Sequence, residues 1–354
     1  MSIEKKIWKK IHVNYPAHIP TMLTPEEIQY LYWLGRSWNG SGRVMEIGCW
    51  LGGSTFCLAS GMRDSGHDAT KRLKVLDNFI WRPFMAERAA LPLQPGESFE
   101  PYFLKNMAGF ENIIDTRACA LPDDPGSHEN IFTGFLNDSD TLDILFIDGA
   151  KSWPGMRYLL KTLNRYFVPG QTLLVCQDYK YWGTYWVPVI MTLLENYVEI
   201  VHNVRTATTV TFRLVKPIPD TLLDTIPPDQ FNMKPHRLLN LLEKSATDLS
   251  TTGDNAGAAN LKLGKVSFLL HRNEIGWAVD IFTGIQKSWK LHHPTWQLER
   301  VRTFLAKEKK LHLPRPRIHQ IADSLRYRMK KIVGKIVRTL LKKGSDTSQN
   351  FLFG

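Results

Sequence analysis

Glu46 with Gly48, Gly52 and Gly53, then Asp77, then Asp148 with Lys151, then Gln177 with Asp178, are the residues whose types and spacing could do chemistry. Each group closes a short apolar run, at 44–47, 73–77, 141–148 and 171–178. Glycines at the end of a buried strand let backbone N–H groups approach a ligand, because no Cβ stands in the way. A helix starting near Ser54 would point the positive end of its dipole at the same place. An acid closing the second strand, Asp77, can accept hydrogen bonds from both ribose hydroxyls of a nucleoside. The later carboxylates, amide and amine then fall on the edge where open α/β sheets hold ligands. Two plainer readings stay open: a strand–turn–helix corner with no ligand, and a solvated loop acid at Asp77.

The elements that must position these groups are legible in turn. Thr24-Pro-Glu-Glu27 reads as a helix start, with a Thr cap, Pro at the first helical position and acids in the first turn. That helix runs to about Trp38, and Asn39-Gly-Ser-Gly42 breaks it before the first strand. Residues 54–60 suit a helix. Residues 78–110, rich in aromatics and prolines, read as a lid or substrate-facing excursion, and the aromatic runs 79–84 and 179–186 suit covering such a site or plain core equally. Further strands are expected at 113–119, 198–204 and 208–215, and helices at 156–166 and 187–197. Strands alternating with helices and ended by a hairpin give an α/β fold.

Glu46-Ile-Gly-x-x-x-Gly-Gly-Ser-Thr55, with Trp50 where many members have a middle glycine, resembles the first motif of the class I S-adenosylmethionine-dependent methyltransferases. The strand order resembles their Rossmann-like seven-stranded sheet, whose last strand runs antiparallel to the others. The resemblance covers residues 24–216. It implies S-adenosylmethionine as cofactor, held by Glu46, Gly48, Cys49, Trp50, Gly52, Gly53, Ser54, Asp77 and Asp148. Asp148-x-x-Lys151 followed by Gln177-Asp178 resembles the metal-dependent catechol-type and caffeoyl-coenzyme-A-type O-methyltransferases. That likeness implies Mg²⁺ on Asp148, Gln177 and Asp178, with Asp148 and Lys151 catalytic and Lys151 as the base. Two departures stand against it. The family pair runs acid then amide, and in the macrolide-sugar-type Asp-Gly-Asp-His pattern Ala150 and Lys151 replace the second acid and the His. A metal-free enzyme using Lys151 or His202 as base, and acids that merely cap turns, are the alternatives.

The 354 residues, 43% hydrophobic and 22% charged, suit one large domain with a smaller addition. The expected division is a basic segment at 1–23, a methyltransferase domain at 24–216, a linker at 217–234, a helical region at 235–315 and a basic amphipathic helix with tail at 316–354. Helices are expected at 236–245, 256–270, 274–287 and 296–307. Four cysteines show neither a C-x-x-C pair nor zinc spacing, and no apolar run is long enough to span a membrane, so a cytoplasmic protein is expected. The net charge of +11 is concentrated toward the far end. There, residues 318–343 carry an apolar stripe beside many Lys and Arg, fit either to an anionic membrane surface or to packing on their own domain. No nucleic acid is expected, because aromatics do not interleave with the basic stretch. The sequence reads as a methyltransferase acting on a sugar or other polar small-molecule hydroxyl. A catalytically silent methyltransferase-like adaptor, binding a membrane surface or partner protein through its helical C-terminal part, is the rival. A nicotinamide oxidoreductase would need a G-x-G-x-x-G turn that the chain lacks.

Overall fold

The computed structural model of the protein describes residues 7–67, 72–122, 130–288 and 296–309. Helix α1 (Pro25–Ser37) begins at a capping box. Glu27 N donates to Thr24 Oγ1 at 3.3 Å, and Thr24 N donates back to Glu27 Oε2 at 2.9 Å. Strand β1 (Arg43–Ile47) opens into α2 (Gly53–Asp64), and β2 (Leu73–Asp77) leads through a long excursion to α3 (Glu100–Asn106) and β3 (Ile114–Ala118). Then come β4 (Leu142–Ile147), α4 (Trp153–Leu163), β5 (Leu173–Cys176), α5 (Trp186–Leu193) and the hairpin β6 (Val198–Asn203) and β7 (Val210–Leu214).

These strands form one seven-stranded sheet in the order β3-β2-β1-β4-β5-β7-β6. All neighbouring pairs from β3 to β5 are parallel, and β7 runs antiparallel to both β5 and β6. This is the Rossmann-like sheet with an antiparallel last strand that the sequence implied. Side chains alternate between its two faces, as a pleated strand requires. Val44, Ile144, Phe146 and Val175 join one apolar cluster with α1, α2 and the 78–110 stretch. Met45, Leu145, Leu174 and Cys176 join the other with α4, α5 and the C-terminal helices.

The strand order reverses between β1 and β4, which creates the crevice that open α/β sheets use for ligands. Register brings four residues level there. Ile47 pairs with Leu76 and with Ile147, and Ile147 pairs with Cys176. Gly48, Asp77, Asp148 and Gln177 therefore stand in one row at the carboxyl edge.

The aromatics of the 78–110 stretch take the core alternative and not the lid. Phe79, Trp81, Phe99 and Phe103 are buried, and Phe79 packs on Phe99 and Phe103 with ring centroids 5.4 Å apart. Backbone bonds from Trp81 N to Glu97 O (2.8 Å) and Phe99 N to Phe79 O (2.9 Å) close the excursion on itself, which lets its aromatics form core. Beyond the sheet, α6 (Asp220–Thr225) lies within the stretch expected to be linker. Trp153 Nε1 and Arg157 Nε tie its far end down by donating to Pro227 O and Ile226 O at 2.7 and 2.9 Å. Helix α7 (Pro235–Thr251) runs six residues past the expected end, because Leu249 continues its buried stripe. Helices α8 (Asn255–His271), α9 (Ile275–Ser288) and α10 (Trp296–Lys309) follow. Apolar side chains of α7 to α10 share one core with β4 and β5. Among the described residues no helix is long and apolar enough to cross a membrane. The basic stretch 318–343 lies outside the described residues.

Candidate active site

At the switch point the backbones of two loops touch. A Cβ on Gly48 (φ 86°) would come within 2.6 Å of Gly149 N, so both the conformation and the space demand glycine. Trp50 has a positive φ of 45°, uncommon for a bulky residue. Asp77 holds this turn: its Oδ2 accepts from Cys49 N (2.8 Å) and Trp50 N (3.2 Å), and its Oδ1 accepts from Phe79 N (2.8 Å). On the other side Asn106 Nδ2 donates to Leu51 O at 2.9 Å. Gly52 is the N-cap of α2 and has no side-chain cap of its own. The indole Nε1 of Trp50 is buried and has no hydrogen-bond partner among the described residues.

Glu46 lies wholly buried one strand position from this turn. Its carboxyl accepts from Ser54 Oγ and from Thr55 Oγ1, the latter at 2.6 Å, and so ties β1 to the first turn of α2. Burial pushes its pKa up to about 8, against the opposing pull of those two hydroxyls. Gly53 sits beneath Tyr15 and Thr21, whose hydroxyls a Cβ there would approach within 2.9 and 2.8 Å.

The second half of the site is an ion cluster. Lys151 Nζ donates to Asp148 Oδ1 at 2.5 Å and to Asp178 Oδ2 at 2.8 Å, bridging two carboxylates from neighbouring strand ends. Desolvation by the surrounding loops opposes the Lys151 charge, but with the side chain half exposed the two carboxylates outweigh it and hold the ammonium above the ordinary lysine value. Burial raises the Asp148 carboxyl above the usual carboxylate range, with Lys151 opposing. Asp178 has a φ of 59°, and Tyr181 N (3.0 Å) and Thr184 Oγ1 (2.6 Å) both donate to its carbonyl. A short polar side chain tolerates that conformation better than most.

Gln177 does not join the cluster. The Thr209 hydroxyl lies 2.5 Å from Gln177 Oε1 and 2.6 Å from Glu27 Oε1, and its one proton serves either acceptor. The ammonium of Lys151 fills the place between Asp148 and Asp178 that Mg²⁺ would need, with oxygen ligands at about 2.0–2.1 Å. The three proposed ligands therefore do not converge, and the residues as arranged do not fit a divalent cation. Nor is there any group of three or more His, Cys, Asp or Glu among the described residues that could hold one.

His202 is buried against the rings of Trp8, Tyr30 and Trp33, with centroids 5.4, 5.7 and 5.1 Å away. Burial, with Arg213 adding to it, pushes its pKa down to about 4. It belongs to that aromatic cluster and not to the row at the sheet edge, so it is no base for this site. Asn106, Thr209 and the second role of Glu27 escaped the sequence reading. Glu27 carried a signal only for its cap, and its contact with Thr209 spans 182 positions of sequence.

Comparison of the sequence with family models and with curated proteins returned no match. Solved structures give matches of low similarity. The TDP-rhamnose 3'-O-methyltransferase CalS11 of calicheamicin biosynthesis is 11% identical, with TM-score 0.38, over 53% of this chain and 76% of that one. The O-methyltransferase NovP is 19% identical, with TM-score 0.39, over 57% and 84%. An O-methyltransferase from Bacillus cereus in complex with S-adenosylhomocysteine is 18% identical, with TM-score 0.36, over 57% and 85%. At these values the likeness decides nothing about activity.

Proposed function

We propose that the chain is an S-adenosylmethionine-dependent methyltransferase that methylates a hydroxyl of a sugar or other polar small molecule. The observation that carries this reading is the row of Gly48, Asp77 and Asp148 on one sheet edge, with the Lys151 ammonium beside it. The turn from Gly48 to Gly53 and Asp77 would hold the cofactor. Asp77 keeps lone pairs free for ribose hydroxyls, since a carboxylate offers about four acceptor sites and three are used. The unpartnered indole N–H of Trp50 is a donor ready for an acceptor atom. The sulfonium supplies a methyl carbon together with its own leaving group, so the protein mainly aligns the acceptor and takes its proton.

Asp148 is the proton acceptor in this reading. A carboxyl with a raised pKa is the better base near neutral pH. Lys151 stays an ammonium; it balances the two acids and stabilises negative charge growing on the acceptor oxygen. Asp148 would take the hydroxyl proton, while the cofactor held by the turn and Asp77 would supply the methyl group and keep the electron pair of the sulfur–carbon bond that breaks. Lys151 thus acts as counter-ion and donor, a different role from the base implied by family likeness. The test is calorimetric titration of S-adenosylhomocysteine into the purified chain, with and without Mg²⁺, beside Asp77→Ala. Micromolar binding that Asp77→Ala abolishes is expected; no binding by the intact chain under either condition overturns the reading.

A further inference from the structure

A second cleft, of about 500 Å³, opens between Tyr181–Trp182 and α10. Tyr181, Trp182, Glu299, Arg300, Thr303, Phe304 and Lys307 line it. Helix α10 is two-faced. Gln297, Leu298, Val301 and Leu305 are buried, while positions 296, 300, 303, 304 and 307 recur at helical spacing on the exposed side. The buried face fixes the cleft wall: Trp182 N donates to Gln297 Oε1 at 2.9 Å, and Gln297 Nε2 donates to Lys180 O at 3.2 Å.

Three features of this wall suit a particular ligand. Trp182 lies 6.3 Å from Phe304, which remains 41% exposed, and Tyr181 is braced from outside the cleft by stacking on Trp296 at 6.0 Å. Flat aromatic surface left open in a cleft suits a ring. Arg300 and Lys307 carry positive charge on the same face and form no ion pair among the described residues, which suits an anion. Trp182, nine-tenths buried, has an indole N–H with no partner among the described residues, a donor for a ligand oxygen. The cleft also adjoins the reacting centre. Its wall residue Tyr181 is bound by its backbone to the cluster's Asp178, Tyr181 N donating to Asp178 O at 3.0 Å.

We propose that this cleft is the acceptor subsite, and that it takes a hydroxylated ring carrying a phosphate or carboxylate group. The ring lies among Tyr181, Trp182 and Phe304, the anionic group meets Arg300 and Lys307, and the reacting hydroxyl points toward Asp148. The role as acceptor subsite rests on the methyl-transfer reading; the ligand chemistry rests on the cleft alone.

The test follows tryptophan fluorescence and calorimetry on the full chain titrated with glucose 1-phosphate and with 3,4-dihydroxybenzoate. Glucose, catechol and inorganic phosphate are the controls, and S-adenosylhomocysteine is titrated into the same samples. At least one anionic ring compound should bind saturably, about tenfold or more tighter than its neutral counterpart and than phosphate. Which of the two binds separates a glycosyl phosphate from an aryl carboxylate. Arg300→Ala/Lys307→Ala should erase the preference, and Trp182→Phe, which keeps a ring and loses the donor, should weaken binding several-fold. Both variants should leave the melting temperature and S-adenosylhomocysteine affinity near those of the parent chain. The proposal is overturned if neither anionic ring compound binds, if the neutral rings or phosphate bind as well, or if the preference survives the double variant. Anionic-ring binding without any binding of S-adenosylhomocysteine would leave the cleft's ligand chemistry standing and remove the methyl-transfer reading.

Discussion

Two lysines 29 positions apart in sequence meet aspartates at almost the same distance and do opposite work. Lys151 bridges Asp148 and Asp178 with its side chain 52% exposed. Lys180 is 1% exposed; it donates to Asp254 Oδ2 (2.9 Å), Asn203 Oδ1 (2.8 Å) and Val204 O (2.9 Å). Asp254 in turn caps α8 by accepting from Gly257 N at 2.8 Å. Burial lowers the Lys180 pKa despite its carboxylate partner, whereas two carboxylates raise that of Lys151. The sealed pair has every donor engaged and no path for a substrate, so it fastens the C-terminal helices to the segment that carries Asp178. The open cluster has charge to spare at a ligand edge. Ion pairing alone does not mark a reactive site; the access around it does.

Breaking the sealed pair should have the largest effect. Lys180→Ala leaves Asp254 buried and uncompensated and should cost about 3–5 kcal/mol in urea unfolding. Adding Asp254→Asn to Lys180→Met should recover part of that loss, because no lone charge then remains. At the open cluster the balance inverts. Asp148→Asn should lower kcat by about 10²-fold or more once an acceptor is found, while the unfolding midpoint moves by no more than about 1 kcal/mol in stability. Equal stability losses at both sites would erase the distinction.

A third charged group sharpens it. Glu46 is as sealed as Lys180 but has no cation, so it keeps its proton instead. With its pKa raised from 4.5 to about 8, its contribution to stability is fully present below pH 4.5 and is lost as pH rises to about 8. Urea unfolding across that window should show a slope of up to about 1.4 kcal/mol per pH unit from this group. Glu46→Gln mimics the protonated acid and should remove it. The smallest effect is on the rate profile. Activity should rise with pH as Asp148 loses its proton, on a limb above the ordinary carboxylate range. Lys151→Ala withdraws the opposing cation and should move the limb up by about one pH unit.

Sequence alone determined the sheet and most of its edge. Alternating apolar runs, the Thr24 cap, the glycine turn and the acids closing three runs depend on local spacing, and spacing survives in a linear string. The register that sets Gly48, Asp77, Asp148 and Gln177 in a row follows once those strands are aligned. What the residues do there was decided in three dimensions. Whether Lys151 reaches Asp178 or leaves room for a cation depends on a contact across 27 positions, and Gln177 turns away because Thr209 and Glu27 arrive from two other elements. The same holds for the aromatics of 78–110, which spell a lid or a core equally well until the chain folds back on them. Periodicity records which face a residue takes, whereas a side chain's charge state and partners depend on what packs against that face, and those neighbours come from distant parts of the chain.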